Sequence, residues 1–149
     1  MKKIRKSIII DTPREVVWAA IIHDRKFRLW TDDFAPGTYF EGGWQQGQSI
    51  QFLMKDDQGL IHGMQAEIAE SEHLRRISIH QLGLVNGNAV DFDSEEAKKW
   101  VPAYEIYELE AVSPMSTRFF VDVDTNEDYL EELSGAWNNA LLKLKAVCE

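Results

Sequence analysis

His62, Gln81 and Tyr107, on three separate predicted strands, are the side chains of this sequence best suited to chemistry. If they line one space, they could together polarise a carbonyl group, as cyclisations and dehydrations require. Strand alternation places Glu67 and His80 on the outer face, and most carboxylates are expected to be solvated. The sequence therefore predicts polar anchors for a ligand and no assembled catalytic site. The carboxylates considered as acids or bases are Glu67, Glu105 and Glu108.

Metal and thiol chemistry are not predicted. The four histidines show no pair at helical metal spacing, and a zinc site needs three or four converging ligands. Cys148 is the single cysteine, so it cannot form an intramolecular disulfide. It falls on an apolar helical stripe one residue from the end, which indicates packing. No metal and no cofactor are expected.

Composition bounds the class of protein. A chain of 149 residues fits one domain, 1–149, and a formal net charge of −9 argues against nucleic acid as the main partner. The apolar run Ile8–Ile10 is much shorter than the roughly seven residues of a signal-peptide core. No run approaches the roughly 18 apolar residues of a membrane span. A cytoplasmic protein without membrane insertion is the default expectation, as monomer or homodimer.

The segment from Asn126 to Glu149 predicts one long amphipathic helix. Its apolar residues recur at steps of three and four, which places them on one stripe. Acidic residues lie in the first turns and lysines in the last, as the helix dipole favours. A stripe that includes Trp137 needs a broad apolar surface, which the preceding strands must supply. The stripe consists of Leu130, Leu133, Trp137, Leu141, Leu144 and Cys148.

Before this helix the chain is mostly strand. Period-two alternation, with one wet and one dry face, favours an antiparallel sheet covered on one side. The region from Thr31 to Gln46 is predicted to be irregular, and Asn86-Gly87-Asn88 is predicted to break the sheet. The predicted strands are Lys3–Ile10, Gln48–Met54, Leu60–Ala69, Leu74–Leu82, Ala103–Val112 and Thr117–Thr125.

Short helices are predicted after the first strand and before Ala103. Thr12 as cap and Glu15 as its capping-box partner predict a helix that ends near Ile22. A second short helix is expected over Asp24–Trp30. Ser94 is a suitable cap for a helix that reaches Trp100. The order of elements gives an α+β domain whose sheet curls around the last helix.

In the order of its elements and in several short segments, the chain resembles the SRPBCC/START-like helix-grip superfamily. Within it, the sequence resembles the branch named after the activator of the ninety-kilodalton heat-shock protein ATPase. The match covers nearly the whole chain in order, although each motif consists mostly of turn and apolar residues. The segments that carry it are Thr12–Trp18, Gly42-Gly43, His62–Ile68 followed by Leu74, and Ala136–Leu144.

This resemblance implies the fold class α+β, START-like. A curved antiparallel sheet would wrap around the long C-terminal helix, with two short helices after the first strand and a cavity between sheet and helix. It also implies a hydrophobic ligand, since members bind lipids, sterols or polyketides, and some are cyclases or dehydratases. The segment 88–101 is acidic and irregular and departs from the family pattern. The resemblance therefore implies no role for it as a loop at the cavity mouth.

Strand alternation and the helical stripe give a set of candidate ligand-binding residues. Aromatic rings with one polar edge suit amphipathic ligands, but the same residues would also make a solid core. Trp30 and Trp44 are expected on loops that rim the space. The full set is Trp30, Trp44, Phe52, His62, Met64, Ile79, Gln81, Tyr107, Phe119, Val121, Leu133, Trp137 and Leu141.

Three functions remain as hypotheses. The leading one is binding of a small hydrophobic or amphipathic molecule without chemistry, with Trp137, Phe52, Phe119 and Met64 as walls. The second, which follows from the resemblance, is an interaction module that stimulates a chaperone ATPase. The third is a polyketide cyclase-like or dehydratase-like enzyme that uses Tyr107.

Overall fold

An antiparallel sheet of eight strands forms one layer of the molecule in the computed structural model, which describes residues 1–149. The strands run in the order β1-β8-β7-β5-β4-β3-β2, and the short β6 pairs with β5. Irregular pairing within β4–β5 and β7–β8 bends the sheet, since bulges increase local twist. The strands are β1 (Lys2–Ile10), β2 (Tyr39–Gly42), β3 (Ser49–Lys55), β4 (Ile61–Glu72), β5 (Arg76–Asn86), β6 (Ala89–Asp91), β7 (Ala103–Ser113) and β8 (Ser116–Thr125).

The helices cover one face of this sheet. A 3-10 turn, Glu127–Tyr129, leads into the C-terminal helix, and the Asn126 side chain caps it by accepting the Asp128 N–H at 2.9 Å. The apolar stripe predicted for this helix faces inward, with Trp137 and Leu144 almost fully buried. The helices are α1 (Arg14–Ile22), α2 (Asp24–Trp30), α3 (Glu95–Lys98) and α4 (Leu130–Cys148).

The predicted capping box at the start of α1 is wrong. Pro13 occupies the N-cap position, and no side chain caps the helix. Thr12 is buried at the end of β1, where its carbonyl oxygen accepts a hydrogen bond from the Thr117 hydroxyl at 2.8 Å. Thr12, which the local sequence predicted as the cap, is therefore engaged in a tertiary contact with Thr117 on β8 and does not cap α1. The predicted cap at Ser94 is confirmed, since its hydroxyl accepts the Ala97 N–H at 3.1 Å.

Two strands were not predicted. β2 lies in the region expected to be irregular, where it pairs with β3 and brings Phe40 opposite Phe52. β6 follows Asn86-Gly87-Asn88, which was expected to break the sheet. Gly87 and Asn88 instead form a tight two-residue turn, because Asn86 pairs directly with Ala89 and Gly87 has a φ of 65°. Both strands have four residues or fewer, too short for alternation to show.

The basic N-terminal run lies on β1 and pairs with acids on β8. Lys3 Nζ contacts the Asp122 carboxylate at 3.7 Å and is hydrogen-bonded to Asp124, while Arg5 Nε lies 3.0 Å from Asp122. These cross-strand pairs keep the run on a solvated sheet face. No helix of the structure is long and apolar enough to cross a membrane.

The predicted fold class is confirmed: α+β, with a curved antiparallel sheet around a long C-terminal helix and two short helices after β1. A core of 24 buried residues draws on the sheet, α1, α2 and α4. Burying this much apolar surface fixes α4 against the sheet. The concave side of the sheet, beneath α2 and α4, is therefore where a cavity can form.

Candidate functional site

One small cavity remains between the sheet, α2 and α4. It has a volume of about 120 Å³. For comparison, an apolar cavity of about 150 Å³ can admit a benzene ring. We call it the sheet–helix cavity. Its wall consists of Phe27, Thr31, Phe34, Thr38, Phe52, Gln81, Glu105, Tyr107, Leu133 and Trp137.

Glu105 is the only charged side chain in this wall. It lies on β7 two residues before Tyr107, so the two side chains share the inward face. The Tyr107 hydroxyl donates a hydrogen bond to the Glu105 carboxylate. Burial raises the pKa of Glu105 from its ordinary 4.5 to about 7, although the hydrogen bond from Tyr107 opposes this shift. Burial, together with the neighbouring carboxylate, raises the pKa of Tyr107 well above 10, so its hydroxyl stays protonated.

The register of the sheet explains why Glu105 points inward. Its direct neighbours across the sheet are Ile79 on β5 and Val123 on β8, and both are buried. Laterally paired residues project from the same face, so Glu105 must share the core side with them. The sequence named Glu105 as a possible acid or base, with the general expectation that most carboxylates are solvated, and it did not place Glu105 on the inner face. Its spacing of two from the inward-facing Tyr107 was the signal that could have placed it correctly.

The Trp137 side chain, which lines the cavity, carries a buried and unpaired donor, as does Trp44 outside the cavity wall. The residue is 1% exposed, and its indole Nε1 has no hydrogen-bond partner in the protein. By contrast, the hydroxyls of Thr31 and Thr38 donate to the carbonyl oxygens of Phe27 and Ala35, each at 2.6 Å. Buried donors almost always have partners, so the free indole N–H needs an explanation. An acceptor atom of a bound molecule would supply one.

Nine aromatic rings form a continuous cluster around the cavity. The Tyr107 and Trp137 ring centroids lie 6.0 Å apart, and Phe34 meets Trp137 edge-on at 4.8 Å. Phe27 stacks with Phe52 at 6.0 Å on the opposite side. Edge-on and offset arrangements of this kind stabilise the walls. The remaining members are Trp30, Phe40, Trp44 and Phe119.

The structure brings five of the candidate ligand-binding residues into the cavity wall and packs six others into the core. Trp30, expected on a loop, ends helix α2, and its indole N–H donates to the Ala20 carbonyl oxygen at 2.9 Å. Trp44 is buried among Phe27, Phe40 and Phe52 and does not line the cavity. The five wall residues are Phe52, Gln81, Tyr107, Leu133 and Trp137. The six core residues are Trp30, Trp44, Ile79, Phe119, Val121 and Leu141.

His62 and Met64 lie elsewhere on β4. Met64 is half-buried and pairs with Phe52 across the sheet. His62 pairs with Met54 near the β3–β4 turn, and its Nε2 lies 2.8 Å from Asp56 Oδ2. The turn therefore holds the imidazole away from the cavity, so His62 cannot join Tyr107 and Gln81 there. Most of the predicted space is solid core, because the large aromatic side chains fill it.

A surface groove of about 480 Å³ adjoins the cavity. Phe34 and Leu133 belong to the walls of both spaces. Trp100, from the segment 88–101, meets Tyr129 at a ring distance of 4.5 Å on the groove wall. We call this space the acidic groove. Its lining consists of Asp33, Phe34, Trp100, Tyr129, Glu132, Leu133, Gly135, Ala136 and Asn139.

Outside this region the side chains offer little for chemistry. No group of three or more His, Cys, Asp or Glu side chains is arranged to hold a metal ion. Cys148 is buried at the end of α4, and burial raises the pKa of its thiol to about 11. A thiol of this kind is a poor nucleophile at neutral pH. The sheet–helix cavity and the groove beside it are therefore the candidate site.

The comparisons with known proteins place the fold. No family model and no curated protein matches the sequence. Among solved structures, a protein from Arthrobacter aurescens shares 16% identity at a TM-score of 0.76, with 98% of this chain and 85% of that chain covered. The Aha1 dimer from Colwellia psychrerythraea shares 16% identity at a TM-score of 0.71, over 100% and 97% of the two chains.

CalU16 from Micromonospora echinospora shares 17% identity at a TM-score of 0.65, with 96% of this chain and 71% of that chain covered. At such identities a likeness shows the fold alone, since one fold carries many functions. This chain shares its helix-grip fold, a curved antiparallel sheet around a long C-terminal helix, with these structures.

Proposed function

We propose that this protein binds a small hydrophobic or amphipathic molecule in the sheet–helix cavity and does not transform it. The observation that carries the proposal is the free indole N–H of Trp137, buried in the wall of a cavity of about 120 Å³. Ligand sites typically combine apolar walls with a few polar groups that fix orientation. Phe52 and Trp137 supply the walls here, and Gln81 and Tyr107 supply the polar groups.

We propose binding without a reaction because the hydroxyl groups of the cavity are already hydrogen-bonded within the protein. The Tyr107 hydroxyl donates to Glu105, and the threonine hydroxyls donate to backbone carbonyl oxygens. No nucleophile with a lowered pKa lines the cavity wall. The arrangement favours orientation of a ligand over reaction with it.

A ligand screen tests this proposal. The purified protein is incubated with fatty acids, flavonoids and small polyketides, and both thermal shift and native mass spectrometry are recorded. We expect at least one compound to raise Tm and to give a 1:1 mass adduct, and Trp137→Phe to weaken both signals. Trp18→Phe is the matched control, since Trp18 is buried beside His73 and does not line the cavity. No shift and no adduct at any soluble concentration would reject the proposal.

A second candidate is an interaction module related to the chaperone-ATPase activators. It is supported by the sequence resemblance to that branch and by the similarity of fold to the Aha1 dimer. We would then expect the purified protein to stimulate the ATPase of a ninety-kilodalton heat-shock protein. We also expect a homodimer by light scattering. An unchanged ATPase rate at saturating protein rejects this candidate.

A third candidate is an enzyme of cyclase or dehydratase type, and the Glu105–Tyr107 pair is the observation that favours it. A carboxyl group whose pKa lies near 7 can accept or donate a proton at neutral pH. Turnover of a polyketide substrate should then disappear in Glu105→Gln and in Tyr107→Phe while binding survives. Turnover that is unchanged in both variants rejects this reading.

A further inference from the structure

The charge of the candidate site narrows the kind of ligand. The walls of the sheet–helix cavity and the acidic groove contain three carboxylates, Glu105, Asp33 and Glu132, and no Lys, Arg or His. Lys143 Nζ binds the Asp33 carboxylate at 3.0 Å, outside the groove lining. The chain as a whole carries a formal net charge of −9. Lys143 is already paired with Asp33, and no cationic side chain lines this path to attract an anionic ligand.

The Glu105 carboxyl lacks a counter-charge within the protein. Its hydrogen-bond partner is the neutral Tyr107 hydroxyl. A carboxylate taken out of water is costly unless it is paired or protonated, and the cost falls when a cation binds beside it. The site therefore gains more from a cationic ligand than from a neutral ligand of equal size.

Aromatic rings surround the same space. Five of the ten wall residues are aromatic. Four of these, the three phenylalanines and Trp137, present ring faces that cannot solvate an anion. A cation above such faces is attracted by the ring quadrupole, and the attraction grows as the cation is desolvated. A carboxylate within an aromatic box is the chemistry that recognises alkylammonium groups.

The free indole N–H adds a second requirement. Trp137 can only donate, so its partner must be an acceptor oxygen or nitrogen on the ligand. An ammonium group alone has no acceptor, whereas an alkanolammonium or an aminoalkyl ester has one a few bonds away. The volume of about 120 Å³ suits a head group of this size, and the groove can hold a longer substituent.

We propose that the sheet–helix cavity binds the head group of an organic cation, a substituted ammonium that carries a nearby oxygen acceptor. Glu105 supplies the counter-charge, the aromatic walls supply cation–π contact, and Trp137 donates to the acceptor. This inference rests on the proposed ligand-binding function and specifies its ligand class.

The test compares choline with 3,3-dimethylbutan-1-ol, a neutral alcohol of the same shape. Both are titrated into the purified protein by calorimetry at pH 8. We expect choline to bind at least tenfold more tightly than the alcohol, and Glu105→Gln to reduce choline affinity at least tenfold. Glu110→Gln is the matched control, because Glu110 lies on the same strand, exposed on the outer face. Its affinity for choline should equal that of the wild type.

The possible results separate this inference from the function it rests on. Equal or tighter binding of the alcohol overturns the cation proposal while leaving a ligand cavity. Binding of hydrophobic screen compounds without any binding of choline does the same. If neither choline nor any screen compound binds, both proposals fall. Thermal unfolding of each variant, compared with the wild type, confirms that loss of binding does not reflect loss of the fold.

Discussion

The indole rings of Trp30 and Trp137 lie 6.1 Å apart in the core, yet only one of them has a hydrogen-bonded N–H. Trp30 Nε1 donates to the Ala20 carbonyl oxygen at 2.9 Å, whereas Trp137 Nε1 has no partner. Both side chains are almost fully buried. Trp30 thus serves the packing of α2 on α1, while Trp137 keeps a donor free at the cavity wall.

This contrast predicts different costs for the same substitution. Trp30→Phe removes ring volume and a buried hydrogen bond, whereas Trp137→Phe removes ring volume and an unsatisfied donor. We expect the free energy of unfolding to fall by about 1 kcal/mol more for Trp30→Phe. Urea denaturation of the two variants measures the difference. Equal costs, or a larger cost for Trp137→Phe, would show that the Trp137 N–H has a partner after all.

The Glu105 carboxyl predicts a pH dependence of stability. Its folded pKa of about 7 lies above the ordinary 4.5, so the folded protein binds more protons than the unfolded chain in this window. The stabilisation of the folded state that comes from this raised pKa is complete below pH 4.5. It is lost as pH rises towards and through 7, and the loss amounts to up to about 3 kcal/mol in the free energy of unfolding. Glu105→Gln should therefore gain stability relative to the wild type as pH rises from 4.5 to 8.

The control for this prediction is Glu110→Gln, which removes an exposed carboxyl from the same strand. Chemical denaturation at pH 4.5, 6, 7 and 8 supplies the free energies. The variants are compared with the wild type at each pH because other carboxylates also titrate. Asp56, Asp91 and Asp124 have lowered pKa values, so they reduce the free energy of unfolding as pH falls, whereas Glu105 increases it. A constant difference between Glu105→Gln and the wild type across this range would contradict a raised pKa for Glu105.

Cys148 should be chemically inert in the folded protein. Burial raises the pKa of its thiol to about 11, so the thiolate fraction at pH 7.5 is very small. We expect its reaction with a disulfide reagent to be slower than that of a free cysteine by at least about 100-fold. The rate should become normal in denaturant. A fast reaction of the native protein would place the end of α4 in solvent.

The turn into β3 should depend on Gly42. Its φ is 114°, and a Cβ there would lie 2.3 Å from the Ser49 carbonyl oxygen. Gly42→Ala is expected to cost at least about 2 kcal/mol, because both strain and overlap oppose it. Gly37→Ala is the control, since Gly37 also has a positive φ but nothing within 4 Å of an added Cβ. Similar Tm values for the two variants would argue against this close approach.

The sequence predicted the fold well where long periodic patterns were present. The stripe from Leu130 to Cys148 faces the core as its spacing indicates. In β8 the period-two pattern predicted the correct inward face for Phe119 and Val121, with Arg118, Phe120 and Asp122 on the other face. Such patterns persist because one buried face is required along a whole element. The short strands β2 and β6 lacked enough residues to form a pattern.

The site was predicted less well because a cavity depends on how side chains fill space. Alternation correctly sent Phe119 and Ile79 inward, but it could not show that they pack solidly. The helix Asp24–Trp30 was predicted, but nothing local reveals the hydrogen bond from Trp30 to Ala20, so Trp30 was expected at the rim of the space. Glu105 was left out of the inward set because acids usually are solvated, although its strand parity matches that of Tyr107. Only the assembled sheet and α4 bring Glu105 and Trp137 into one wall.

The most direct test is the ¹H–¹⁵N spectrum of the five tryptophan indoles, recorded during titration with choline and with the best compound of the hydrophobic screen. Signals are assigned by single Trp→Phe variants. A cavity ligand that accepts from Trp137 should shift the Trp137 indole proton strongly and saturably, while the bonded Trp30 indole moves little. A Trp137 signal that stays fixed while either compound binds would contradict a ligand in the sheet–helix cavity.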